Sequence, residues 1–412
     1  MQIFAIVVSL AITLVAVPLF VRTIVHQVRV IRLGQPAVRT DSPGRRLVTT
    51  VKETLLHTRM LQWTKVGIAH WIIMVGFGLL FFTLVNAYGQ LFDPHFILPI
   101  IGHFPPFEWV TEAFAVTMIW AILALMVYRV TRPKERVRGE RGRFWGSTMW
   151  QGYFVEWVIL LVGICILVLR FAEYALAEEK YQSALHFPFT FFVGELFTGW
   201  SEDALTNLVW FTAMTKIVVS MVWMLVLSRH ATMGVAWHRF LAPFNVFFKR
   251  ESDGSTALGA MKPLTSAGKA VTLDDIDDLD EDSVLGVGKV EDFSWKGILD
   301  FTSCTECGRC QSQCPAWNTE KPLSPKLLIT ALRDHAYAKA PYLQAGTEEE
   351  RTALPADVSG LTAPSAVRPV DSRLYQMLKN AVKRCQATPI VGFSEIVTIH
   401  PKEMRILSMA TR

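Results

Sequence analysis

The sequence predicts an all-α bundle of five membrane-spanning helices, N-terminus outside and C-terminus inside, followed by a small soluble segment built around cysteines. Three observations carry this expectation. The 412 residues are 51% hydrophobic and only 19% charged, with a mean hydropathy of +0.31, which is too apolar for an ordinary soluble chain. The apolar residues gather into five long runs within the first 250 positions. Four of the six cysteines then fall between positions 304 and 314.

The five runs lie at roughly 3–21, 66–85, 109–128, 153–169 and 204–227. A membrane helix needs about 20 apolar residues at a rise of about 1.5 Å each. Five such runs in one stretch set aside a buried helical core as the explanation. The first run does not read as a cleavable signal, because positive charges follow it and none precedes it.

Loop charge sets the orientation. Arg22, Arg29, Arg32, Arg39, Arg45, Arg46, Lys52, Arg59 and Lys65 lie between the first two runs. Arg129, Arg132, Lys134, Arg136, Arg138, Arg141 and Arg143 lie between the third and fourth. The loop after the second run has no Lys or Arg, and beyond Arg170 and Glu173 at the fourth span's end there is only Lys180, beside Glu178, Glu179, Glu195, Glu202 and Asp203. The positive-inside rule therefore puts the cysteine segment in the cytoplasm and the chain in the plasma membrane. Trp63, Trp109, Trp150 and Trp200 stand near the ends of the runs, as interfacial anchors do. The net charge of +5 does not point to nucleic acid, since the basic residues flank apolar runs instead of forming a soluble patch.

Four regions are expected: the bundle at 1–250, an acidic linker at 251–292 containing "LDDIDDLDED", the cysteine segment at 293–342, and an atypical tail at 343–412 with weak periodicity. Within the third, "LSPKLLITALRDHAYA" reads as a helix.

Ionisable residues at membrane depth are costly and usually functional, and neutral imidazole is a common axial ligand of haem iron. His57 and His70 flank the start of the second run; His230 and His238 follow the fifth. If both segments stay helical, His57 and His238 share the edge, while His70 and His230 lie deeper by roughly 20 Å and 12 Å. This ladder suits one or two b-type haems. His26, His95, His103 and His186 sit at span edges and are read as ordinary interfacial side chains. Lys216 lies about 18 Å into the fifth run and is expected to meet a haem propionate or a quinone carbonyl. Arg170 and Glu173, three residues apart, are expected to form a local ion pair.

Cys304, Cys307, Cys310 and Cys314, with Pro315, have the spacing C-x2-C-x2-C-x3-C-P. Two-residue gaps let one loop wrap three thiolates around a cubane, and Gly308 lets the backbone approach the inorganic sulfides. Zinc sites usually bring two separated pairs instead. The expected cofactor is a 4Fe-4S cluster in a ferredoxin-like segment. Its fourth corner is open: Cys314 folds back, Cys385 supplies it, or the motif was built for a portion this sequence lacks.

The basic-loop, five-span half is similar to the gamma subunit of respiratory nitrate reductase and to the b-type cytochrome of membrane-bound heterodisulfide reductase. "AWHRFLAPFNVFFKR" resembles the haem-ligand stretch of those cytochromes, with His238 at the matching position. "FSWKGILDFTSCTECGRCQSQCPAWNTEKPLSPK" resembles the first ferredoxin segment of the fused heterodisulfide-reductase-like iron–sulfur proteins. The resemblance implies an oxidoreductase passing electrons from electron transfer flavoprotein, or another soluble donor, to membrane menaquinone. Those proteins usually carry a second cysteine run and further cysteine-rich domains, which this sequence does not show. An iron–sulfur membrane anchor, a redox sensor and a truncated inactive subunit are the alternatives.

Overall fold

The computed structural model describes residues 1–79, 81–131, 142–252, 289–319 and 323–355, with scattered positions between 265 and 287 and at 358. Most of the acidic linker, the arginine-rich stretch 132–141, Cys385 and the tail from 359 lie outside the described residues. The described chain is helical apart from a hairpin of two residues per strand, Thr265–Ser266 with Lys269–Ala270. It divides into two compact units, each assembled from separate stretches of sequence.

The first unit comprises Met1–Ile24, Thr50–Lys134 and Thr148–Arg239. Four of its helices are long and apolar enough to cross a membrane: α1 (Gln2–Ile31), α5 (Pro105–Thr131), α6 (Met149–Leu176) and α7 (Glu202–Arg229). Before α3 comes α2 (Pro43–Thr54). The second apolar run gives α3 (Thr64–Leu79) and α4 (Phe81–Gln90), bent by 41° to each other, a fifth span if the pair crosses as one. Four or five apolar helices agree with the expected all-α membrane bundle. After α7 the chain turns at His230 and enters α8 (Gly234–Phe247).

These helices are apolar on the outside. On α1, Ile3, Phe4, Val7, Leu14 and Val21 are exposed, which costs free energy in water but none in hydrocarbon. Where the helices meet, small residues are prominent: Ala5, Ala16, Ala87, Ala172 and Ala213 are buried, as expected of membrane helices that gain from close van der Waals packing. Gly163 shows why. A Cβ there would stand 2.8 Å from the Ile119 side chain of α5. α7 begins at a proper cap, Ser201 Oγ accepting from the Ala204 amide, with Glu202 and Asp203 in its first turn to complement the helix dipole.

The second unit comprises Val25–Thr49, Glu135–Ser147 and Phe240–Arg412. Its described core is Val30, Val290, Ile298, Ala336 and Ala340. Here lie α9 (Trp295–Thr302), α10 (Arg309–Gln313), α11 (Pro315–Asn318), α12 (Pro325–Gln344) and α13 (Glu348–Thr352). The α12 range contains the helix expected from "LSPKLLITALRDHAYA". Gln35 binds across to the start of α9: its amide donates to Phe293 O at 2.8 Å and its carbonyl accepts from the Trp295 amide at 3.0 Å. Arg46, counted above among loop charges, is buried. It donates to the carbonyls of Asp41, Phe247 and Lys249 and pairs with the Asp41 carboxylate.

Candidate redox centres

The cysteine run occupies an irregular loop followed by α10. Glu306 and Gly308 both take left-handed backbone conformations, at φ 56° and 70°. Gly308 is required at its position, since a Cβ there would meet Arg143 O at 1.9 Å. The Arg143 guanidinium in turn donates to Cys307 O at 2.8 Å, and Ser147 Oγ to Glu306 O at 2.9 Å. The loop is thus held by Arg143 and Ser147 from the stretch beyond α5.

All four thiols are free, with Cys307 and Cys310 exposed and Cys304 and Cys314 half-buried. Among the described residues, no three His, Cys, Asp or Glu side chains converge as a ready metal site. The surroundings nonetheless suit an anionic group. Burial pushes the Cys304 and Cys310 thiols up, while Arg333 acts on the first and Lys326 on the second to favour thiolate. Lys326 is buried and donates to Trp145 O and Ser147 Oγ, each at 2.6 Å; burial pulls it down to about 8. Arg333 is buried too. It holds Glu306 at 3.1 Å and Asp334 at 2.8 Å, yet its Nη1 has no hydrogen-bond partner. A buried guanidinium nitrogen without an acceptor, beside Cys304, is a group that a cluster's sulfur atoms would satisfy.

In the first unit, the histidines do not form the expected ladder. His57 Nε2 lies 2.9 Å from His70 Nδ1, and the His70 and His238 rings stand 6.1 Å apart. His230 is elsewhere, edge-on to Trp150 at 5.2 Å. Neither segment stays helical, which is why the depth arithmetic gives the wrong pairing. α2 ends at Thr54, and His57 sits in a turn at φ 52°. α7 ends at Arg229, so His238 belongs to a separate helix.

The hydrogen bonds fix ring nitrogens. His238 Nδ1 donates to Gly234 O at 3.2 Å, leaving Nε2 free. His70 uses Nδ1 toward His57, again leaving Nε2. His57 is anchored in turn through Nδ1 to Thr54 O at 2.5 Å. A ring held by one nitrogen and offering the other is the usual state of a metal-ligating histidine. Burial, helped by Arg239, lowers His238 to about 3, so its imidazole is neutral and able to ligate. Arg239 lies over Phe77 and Trp223 at 4.3 and 4.8 Å. It has no carboxylate partner among the described residues, and burial lowers it to about 10.

Lys216 is fully buried on α7, donating to Thr83 O at 2.7 Å and to Thr83 Oγ1 at 2.8 Å. It lines a cavity of about 50 Å³ with Thr83, Asn86, Gln90, Glu108 and Glu173. Arg170 pairs with Glu173 at 2.7 Å, as expected from their spacing, and also with Glu112 of α5 at 2.9 Å. Sequence reasoning missed Glu108 and His186, which meet at 2.7 Å, both buried. Two carboxylates opening the apolar run of α5 were the available signal.

No protein-family model and no solved structure matches the chain. Three curated relatives do. An EtfAB:quinone oxidoreductase of Syntrophomonas wolfei is 28% identical over 354 residues, covering 82% of this chain and 45% of the relative. A probable iron-sulfur-binding oxidoreductase, FadF, of Bacillus subtilis is 26% identical over 338 residues, covering 80% and 43%. A probable membrane-anchored ferredoxin of Chromohalobacter salexigens is 38% identical over 125 residues, covering 28% and 16%. The chain matches less than half the length of each. These relatives bear out the resemblance to iron–sulfur membrane oxidoreductases of the EtfAB:quinone type.

Proposed function

We propose that this chain carries electrons between a soluble donor, of the electron transfer flavoprotein class, and menaquinone in the plasma membrane. The observation that carries the reading is that one chain holds both a thiol loop flanked by buried cations and a pair of histidines with free Nε2 atoms beside the apolar bundle. When bound, a 4Fe-4S cluster and a b-type haem supply the one-electron steps.

Cys304, Cys307, Cys310 and Cys314 hold the cluster. Arg333 and Lys326 offset its negative charge and favour the thiolate state of its ligands. His70 and His238 are the residues that would hold a haem iron, through Nε2, and His57 orients His70 from behind. This differs from the edge-and-depth pairs expected from sequence, and it favours one haem at this place. Arg239 is the cation for a haem propionate. His230 has no ligand role in this arrangement. Lys216 has a third N–H beyond the two given to Thr83, and it donates that one to a quinone carbonyl. By loop charge, the cysteine segment faces the cytoplasm, where a soluble donor reaches it.

The test is composition and then reduction. The purified protein should contain about four iron and matching acid-labile sulfide per chain, together with a b-type haem spectrum. Menaquinol should reduce the haem in membranes. A preparation with cluster but no dithionite-reducible haem, or a haem untouched by quinol, would leave a membrane-anchored iron–sulfur protein in place of this reading.

A further inference from the structure

The electron path has a partner in the same bundle that handles protons. Quinone reduction takes two electrons and two protons, converting two C=O groups to C–OH; quinol oxidation releases the same. Resting on the quinone reading above, we infer that the half-enclosed cavity beside Lys216 is a hydrated proton chamber, and that Glu108 and His186 connect it to the surface at the His103 end of the bundle.

The cavity, at about 50 Å³, has the volume of one or two waters at about 30 Å³ each. Polar groups set in its largely apolar lining can hold them. Gln90 is fully buried with Oε1 unpartnered, and Asn86 Oδ1 is likewise buried and unpartnered. Lys216 and Thr83 line the same space. Water needs two to four such partners to stay.

Of the carboxylates here, one is free to exchange a proton. Glu112 accepts from Arg170, the Phe189 amide and Thr190 Oγ1. Glu173 accepts from Arg170 and Gln90. Their oxygens are thus committed to fixed donors. Glu108 instead meets the His186 ring at 2.7 Å, and it lines the chamber. Beyond His186 the rings continue outward: Tyr181 is edge-on at 5.1 Å, His103 at 6.4 Å, and His103 stacks on Tyr181 at 4.3 Å with its own side chain exposed. During quinone reduction, protons run from His103 through His186 and Glu108 to the chamber and the quinone oxygens. Electrons come from the soluble flavoprotein. In quinol oxidation both reverse. The charged and titratable groups around Glu108 are His186 and His103 from the loops, Arg170 and Glu173 from α6, Glu112 from its own helix and Lys216 from α7.

The full-length protein in proteoliposomes tests this, with orientation fixed by protease access to the cysteine segment. A short-chain menaquinol is the substrate and a trapped or external pH dye reports proton release. Protons are expected on the His103 side in the unmodified protein. Glu108→Gln and His186→Asn should each slow quinol oxidation on the order of tenfold or more, while quenching of a fluorescent hydroxyquinoline quinone-site inhibitor gives an unchanged Kd. Glu108→Asp keeps the carboxyl and should recover part of the rate, and it covers a misfolded Gln variant. Protons emerging on the cysteine side, or Gln and Asn variants within twofold of the parent rate, overturn the relay. Lys216→Met separates the two ideas: weakened inhibitor binding upholds the quinone reading even if the relay falls, and unchanged binding overturns both.

Discussion

His238 sits where two constraints agree. Its Nδ1 donates to the Gly234 carbonyl and its ring faces His70 at 6.1 Å, so one nitrogen is committed and the other offered. His70→Ala and His238→Ala should each abolish the b-type absorption without unfolding the bundle, and His57→Ala should weaken haem retention less. His230→Ala, against Trp150, should leave the spectrum intact; its loss would restore the two-level ladder. The same burial gives a pH signature. His238 titrates at about 3 when folded against an ordinary 6.5. Between those values the unfolded chain binds a proton that the folded one does not, so stability is complete above about 6.5 and declines as pH falls toward 3. Thermal unfolding of the haem-free protein across that window should show the slope, and His238→Leu should flatten it. The residues themselves were legible in the sequence, because imidazoles beside apolar runs are unusual. Their pairing was not. It depends on a turn at His57 with φ 52°, a conformation no periodicity announces in a non-glycine residue.

At the scale of elements, the cysteine loop and α12 support each other. Ser324 caps α12, accepting from the Leu327 amide, and meets Gln311 of α10 at 2.9 Å. Ser324→Ala should cost about 1 kcal/mol as a lost cap and also leave the buried Gln311 Oε1 without its hydroxyl donor. Gly308→Ala should do more damage. It places a methyl into the Arg143 carbonyl and a Cβ at φ 70°, so iron and acid-labile sulfide should fall well below the parent level while the haem spectrum stays. Retained iron would mean that the loop tolerates another path around Arg143. The motif's spacing made the four thiols legible. Arg143 and Ser147, which brace the loop, were read only as topology charge or not at all, since they lie some 160 positions away in sequence. The spans show the same division. Hydropathy located all five runs, but it could not see the 41° bend between the helices Thr64–Leu79 and Phe81–Gln90, because the two are equally apolar.

For the molecule as a whole, the distribution of charge decides what faces which compartment. Nine Lys and Arg residues separate the first two apolar runs, while the loop between α6 and α7 has one basic residue, Lys180, and an acidic surface. Arg46 weakens the count by one, since it is buried in the second unit and bonded to three carbonyls; the asymmetry is large enough to survive that. On the proposed reading, with the bent pair crossing as one span, the α6–α7 loop lies outside and the cysteine segment inside. Two exposed positions test it: Glu179 in that loop and Arg45 in the first turn of α2. Under a membrane-impermeant maleimide, Glu179→Cys should label on intact cells, whereas Arg45→Cys should label only after permeabilisation. The reverse pattern would invert the protein, and would place the thiol loop away from any cytoplasmic donor. Labelling of both from outside would mean that α3 and α4 do not make a single span, since one crossing fewer puts Arg45 and Glu179 on the same side.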